Sequence, residues 1–218
     1  YTNQTHPYFR APRVYVAIAA RFMPGRALLD AEGAARLGVD PGYFRDCSDA
    51  VLLTSRGGLT YDRTFREAFL RPGVGLENWV SRSNYPALNV VQTGPAEMSM
   101  YVNQNYAQPT AALHRYSLRL DGFASLRAGF EGGSMLTRRL RFDGSVLELN
   151  FATSAAGSVR VALCDDAGTP LKGYRIEDCV PLIGNEIGRA VTWQRAQGPD
   201  LNTDGTPGAL QLGNQRSG

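Results

Sequence analysis

Long apolar runs are missing from this 218-residue chain. None approaches the roughly 20 residues that a membrane-spanning helix needs, so a transmembrane segment is excluded. Histidine is scarce, with only His6 and His114. His6 has no Ser or Cys elbow to accompany it and His114 reads as a surface or packing residue of a strand, so a hydrolase triad is not expected. The three cysteines, Cys47, Cys164 and Cys179, lack CxxC spacing and are one more than pairs require. Pairing of Cys164 with Cys179 and plain burial of all three thiols both stay open. Blocks of basic residues are absent as well. The 23 Lys and Arg against 20 Asp and Glu leave a net charge of +3, mostly as scattered Arg, and no nucleic-acid partner is expected. There is no GxGxxG after a strand, no P-loop and no His-rich pattern, so neither a cofactor nor a metal is expected. The segment DLNTDG at 200–205 lacks the later Glu of a calcium loop.

What is present is ordinary for a folded protein: 43% apolar and 20% charged residues, which argues against wholesale disorder. Helix signals are sparse. The best one, RALLDAEGAARLGVD at 26–40, is interrupted by two glycines and reads as an insertion loop, 25–46, with one helical turn. Alternating, β-rich runs dominate, among them RVYVAIAARF, DAVLLTS, EMSMYVNQ and VLELNFAT, punctuated by Gly, Asp and Pro. The fold class is therefore read as all-β. Two stretches repeat one plan. Each has proline near the start (Pro12, Pro86), a later strand, and a hairpin with Arg and Gly, at Arg56-Gly57-Gly58 and at Arg119 to Gly122. Without the insertion each unit is the size of a β-propeller blade. Two blades cannot close a propeller, and Tyr1 is not Met, so the expectation is an internal piece of a longer protein. After Ala128 the texture becomes that of a β-sandwich.

In a propeller, ligands meet the face where inner strands begin and where second strands join third. That face would gather His6, Arg10, Arg82, Asn84, Tyr85, Asn105, Tyr106 and Gln108, together with Asp46, Asp49 and Glu67. Amides, Arg and aromatics around a channel suit an oligo- or polysaccharide. Glycoside hydrolysis needs two carboxyls roughly 5 to 9.5 Å apart, and Asp49 with Glu67 is the candidate catalytic pair. The plain reading of the same residues is a turn cap for Asp49 and a surface ion pair of Glu67 with Arg66 or Arg71. Glu97 and Asp121 fall on the opposite face and read as turn residues.

The strings SDAVLLTSRGGLTYDRTFREAFLRPG, NWVSRSNYPALNVVQTGPAEMSMYVNQNY and LRLDGFASLRAGFEGGSMLTRRLRFDGSVLELNFATSAAGSVRVALCDDAGTPLKGY resemble the C-terminal half of bacterial, planctomycete-type glycosyl-hydrolase-like proteins. The family carries a five-bladed propeller of the fructosidase and arabinanase clan, then a β-sandwich. The resemblance implies that 1–128 are the last two blades (about 10–72 and 82–128), 129–196 part of a sandwich, and 197–218 a disordered or aberrant tail. It further implies a carbohydrate-active protein, either a glycoside hydrolase or a non-catalytic glycan-binding relative, with an extracellular or periplasmic location expected and a cytoplasmic one left open. Two departures stand out. The family hairpin reads S-R-D-G where this chain has Gly57, and the clan's nucleophile-type Asp belongs to the first blade, so this piece alone is expected to be inactive.

Overall fold

The computed structural model describes residues 2–194 and the backbone of strand 209–214. The protein is mostly β, with several antiparallel sheets. It divides into two compact units, residues 1–123 and 124–218.

The first unit opens with β1 (Thr5–Tyr8), β2 (Ala11–Met23) and β3 (Cys47–Ser55), which pair consecutively as an antiparallel sheet. Five successive residues of β2, Val16 to Ala20, are buried, on both faces of the strand. Alanine makes that possible: Ala20 lies opposite Ala50 of β3, beside the pair Ile18–Leu52. After β3 the chain reverses through Gly57 (φ 100°) and Gly58 (φ 77°), backbone that favours glycine and explains the pair read in the sequence. The returning segment bridges β3 twice, Thr54 to Asp62 and Ala50 to Leu70.

The second sheet comprises β4 (Tyr85–Pro86), β5 (Val91–Gly94), β6 (Glu97–Gln104) and β7 (Ala112–Arg119). β4 and β5 share one edge of β6 and β7 takes the other. On β6 the period of two places Met98, Met100, Val102 and Gln104 on one buried face. That face meets the even-numbered face of the first sheet. The Tyr8 hydroxyl oxygen lies 3.7 Å from Met98 Sδ, and Asn84 bridges Gln104 to the Ser48 carbonyl.

Between β2 and β3 the insertion holds a seven-residue helix, α1 (Ala31–Leu37), longer than the single turn expected. Both ends are capped: Asp30 Oδ1 accepts from Gly33 N at 2.7 Å, and Gly38 ends the helix at φ 68°. Leu29, Ala34 and Val39 bury against Val80, joined by Leu37, Tyr43 and Phe44. The neck is fastened where Gly25 N donates to Asp46 Oδ1 at 2.7 Å.

Asp121, read as a turn residue, does more. It accepts from the buried Tyr8 hydroxyl at 2.5 Å and faces Arg10 at 3.6 Å. Burial first, then the Asp121 hydrogen bond, pushes the Tyr8 phenol well above its ordinary value. An unfolded tyrosine ionises near pH 10, so the stabilisation from this group is complete below about pH 10 and is lost as pH rises above it. Tyr8→Phe is expected to be about 1 kcal/mol less stable at pH 7. Its denaturation midpoint should fall less between pH 9 and 11 (about one unit either side of the free phenol's pKa) than that of the parent chain.

The second unit contains β8 (Gly133–Leu136), β9 (Glu148–Ala152), β10 (Arg160–Cys164), β11 (Asn185–Ala190) and β12 (Ala209–Asn214). The sheet orders are β10-β12-β8 and β11-β9. Val161 of β10 shares a core with Cys179, Leu182 and Val191, against which Leu149, Phe151 and Trp193 pack. All three cysteines are free and buried, and burial pushes their thiols up, away from the reactive thiolate. Within the stretch read as a tail, the backbone of 209–214 is the strand between β10 and β8. The rest of 197–218, DLNTDG included, lies outside the described residues.

Candidate functional site

Two loops of the first unit carry an unusual backbone. Arg82 (φ 59°), Asn84 (63°), Asn105 (55°) and Ala107 (57°) all sit in the left-handed region. Asparagine tolerates that region, whereas Arg and Ala there cost on the order of 1 kcal/mol each. Such strain persists only where surrounding contacts enforce it, and it clusters at binding sites.

The enforcing contacts are visible. The Arg82 guanidinium lies 4.8 Å from the Tyr43 ring centroid and 5.5 Å from that of Tyr106, and its Nη1 donates to Tyr43 Oη at 3.3 Å. The two rings meet edge to face, 5.4 Å apart at 88°. Tyr106 remains 39% exposed, enough ring to offer a ligand. The insertion delivers Tyr43 to this place: Ser81 N donates to the Tyr43 carbonyl at 2.9 Å and Asp40 N to that of Ala107 at 3.1 Å.

An amide network holds the loops from within. Gln104 Nε2 donates to Asn84 Oδ1 at 3.1 Å and to Tyr116 Oη at 2.6 Å. Asn84 Nδ2 donates to the Ser48 carbonyl at 3.3 Å, and Ser48 Oγ to that of Ser83 at 2.6 Å. Asn105 N donates to Ser83 Oγ at 3.0 Å, and Asn105 Nδ2 to Thr110 Oγ1 at 3.2 Å. Gln108 Nε2 donates to the Glu77 carbonyl at 2.9 Å, which orients the amide and leaves its buried Oε1 without a partner. A buried acceptor without a donor is costly and marks a place where a ligand or solvent hydroxyl completes the bonding.

Of the eight residues expected to bind, Arg82, Asn84, Asn105, Tyr106 and Gln108 thus converge. Tyr85 follows directly in β4. His6 is buried in β1 with Nδ1 3.0 Å from the Gln4 carbonyl, and Arg10 is engaged with Asp121. The sequence reading missed Tyr43, Ser48, Ser83, Gln104 and Tyr116. Gln104 had a signal: it extends the Met98, Met100, Val102 alternation, a polar residue in an apolar register.

The candidate carboxylates are placed differently. Asp49 lies inside β3 instead of ahead of it, opposite Arg21 of β2. Arg21 grips it with two bonds, Nε to Oδ1 at 2.8 Å and Nη2 to Oδ2 at 2.5 Å. The Asp49 hydrogen bond pushes the guanidinium further up. Pleating puts Asp49 on the face opposite Ser48, away from the aromatic cluster. Glu67 pairs with Arg71 at 2.5 Å, both largely exposed. Asp49→Asn is expected to cost the first unit about 2 kcal/mol by leaving a half-buried guanidinium without its charge partner, whereas Glu67→Gln should leave the urea midpoint unchanged.

Among the described residues no helix is long and apolar enough to cross a membrane, and no group of three or more His, Cys, Asp or Glu is placed to hold a metal ion. Comparison with family models, with curated proteins and with solved structures finds no match for this chain.

Proposed function

We propose that this chain is the glycan-holding part of a carbohydrate-active protein, with the saccharide seated on Tyr43, Arg82 and Tyr106. The observation that carries the reading is the guanidinium packed against two tyrosine rings, on strained loops lined by amides. Sugars present C–H faces that pack on aromatic rings and hydroxyls that exchange hydrogen bonds with amides and guanidinium. The Gln108 acceptor supplies a point at which one ligand hydroxyl can donate. In this reading the two sheets of the first unit are the last two blades of a five-bladed propeller. The loops at one end of the sheets form its ligand face, the second unit is part of a β-sandwich, and the protein works outside the cytoplasm.

Calorimetric titration of the chain with a panel of neutral, soluble oligosaccharides tests the reading. Binding of at least one member, lost in Tyr106→Ala, supports it. Absence of binding across the panel, or binding indifferent to Tyr106, contradicts it.

A hydrolytic role for Asp49 and Glu67 is the second reading, favoured by one contact. Arg21 Nη1 donates to the Arg66 carbonyl at 3.1 Å, which draws the chain next to Glu67 toward the Asp49 ion pair. Catalysis by this pair requires Asp49 to be released from Arg21. Release of reducing sugar by the full-length protein, abolished by Asp49→Asn and by Glu67→Gln, supports this role, and activity retained in both variants removes it.

A further inference from the structure

The face of the first sheet that points away from β6 has a feature the aromatic cluster does not use. Ala19 and Arg21 of β2 and Val51 and Leu53 of β3 project together there, since alternate residues share a face. With Thr2 and Arg63 they line an open groove of about 530 Å³. Arg21 is spent structurally: two donors go to Asp49 and a third to the Arg66 carbonyl. That last bond tethers the returning segment beside the groove. Arg63, on the same segment, is exposed and makes no hydrogen bond or ion pair among the described residues. Tyr61, two residues earlier, is 38% exposed and reaches the same face, its hydroxyl donating to Thr5 Oγ1 at 3.1 Å.

The groove thus combines apolar walls and one uncommitted guanidinium, with the Tyr61 ring on the same face outside its lining. An unpaired guanidinium recognises a planar carboxylate through two parallel hydrogen bonds, and the walls suit a body with C–H surface. We propose that this groove binds the carboxylate of an acidic saccharide, a uronic acid residue, with Arg63 as the specificity-determining residue and Arg21 as the residue that positions it. The proposal rests on the carbohydrate reading and adds the charge class of the ligand. It concerns a face distinct from that of Tyr106, so the two fail separately.

The test titrates the whole chain with a uronic acid trisaccharide, its methyl ester and inorganic sulfate. The acid is expected to bind about tenfold or more tightly than the ester, the difference vanishing in Arg63→Gln and surviving in part in Arg63→Lys. Tyr106→Ala should leave the acid-to-ester ratio intact. Equal affinity for acid and ester, or an unchanged ratio in Arg63→Gln, overturns the proposal while leaving the Tyr106 site standing. Sulfate that displaces the trisaccharide at equal concentration overturns the saccharide assignment. If neutral oligosaccharides never bind but the acid preference holds, the aromatic cluster is the part that fails.

Discussion

Asn84→Leu is expected to destabilise the first unit by about 3 kcal/mol, the largest loss foreseen for a single polar side chain here. Two effects add. Asn84 is 1% exposed, and its amide satisfies the carbonyls of Ser48 and Asn78 and the amide of Gln104, at 3.3, 3.4 and 3.1 Å. Leucine leaves the two carbonyls without this donor, at about 1 kcal/mol each after relaxation, while the Gln104 amide keeps its bond to Tyr116 Oη. The backbone at φ 63° also costs a branched side chain about 1 kcal/mol that asparagine largely avoids. Asn84→Gly separates the two: it loses the hydrogen bonds and keeps the backbone, so it should be the milder variant by about that last amount. Urea midpoints of the three chains decide the matter. Equal losses in Leu and Gly would show that the left-handed conformation contributes nothing.

Removing Arg82 should have its large effect on affinity. Arg82→Ala is expected to weaken oligosaccharide binding more than tenfold, because the guanidinium is lost and the rings of Tyr43 and Tyr106 lose the cation that organises them. Arg82→Gly makes the stronger case. Glycine relieves the left-handed backbone by about 1 kcal/mol, which offsets the lost contacts with the rings. The glycine variant should therefore unfold near the parent midpoint and still fail to bind. That pairing of retained stability with lost binding is what strain held for function predicts. Calorimetric affinity measured beside thermal midpoints checks both halves, and a glycine variant that binds normally would make Arg82 a structural residue only.

Local signals in the sequence carried a good part of this architecture. The period-two run of β6 predicts its buried face, and Gly57-Gly58 predicts a reversal that needs positive φ. The helix α1 was less legible because its two glycines look like breakers. Each has a positional reason instead. A Cβ on Gly33 would approach the capping Asp30 Oδ1 at 3.1 Å, and one on Gly38 would strike Pro109 at 2.8 Å. What could not be read were pairings between residues far apart in the chain. Tyr43 meets Arg82 across 39 residues and Arg21 meets Asp49 across 28. The second of these relations makes a residue that looked like a strand cap into half of an ion pair. Five of the eight binding candidates lie near one another because they occupy just two loops, and each loop carries several side chains at once.

The role proposed for the loops bearing Arg82 and Tyr106 is to hold a glycan. Its most direct test is amide chemical-shift mapping of the isotopically labelled chain as an oligosaccharide from the binding panel is added. Shifts that saturate and concentrate on Tyr43, Arg82 to Asn84 and Asn105 to Gln108 are the predicted result. Saturating shifts confined to another surface, or none at those residues under binding conditions, would contradict it.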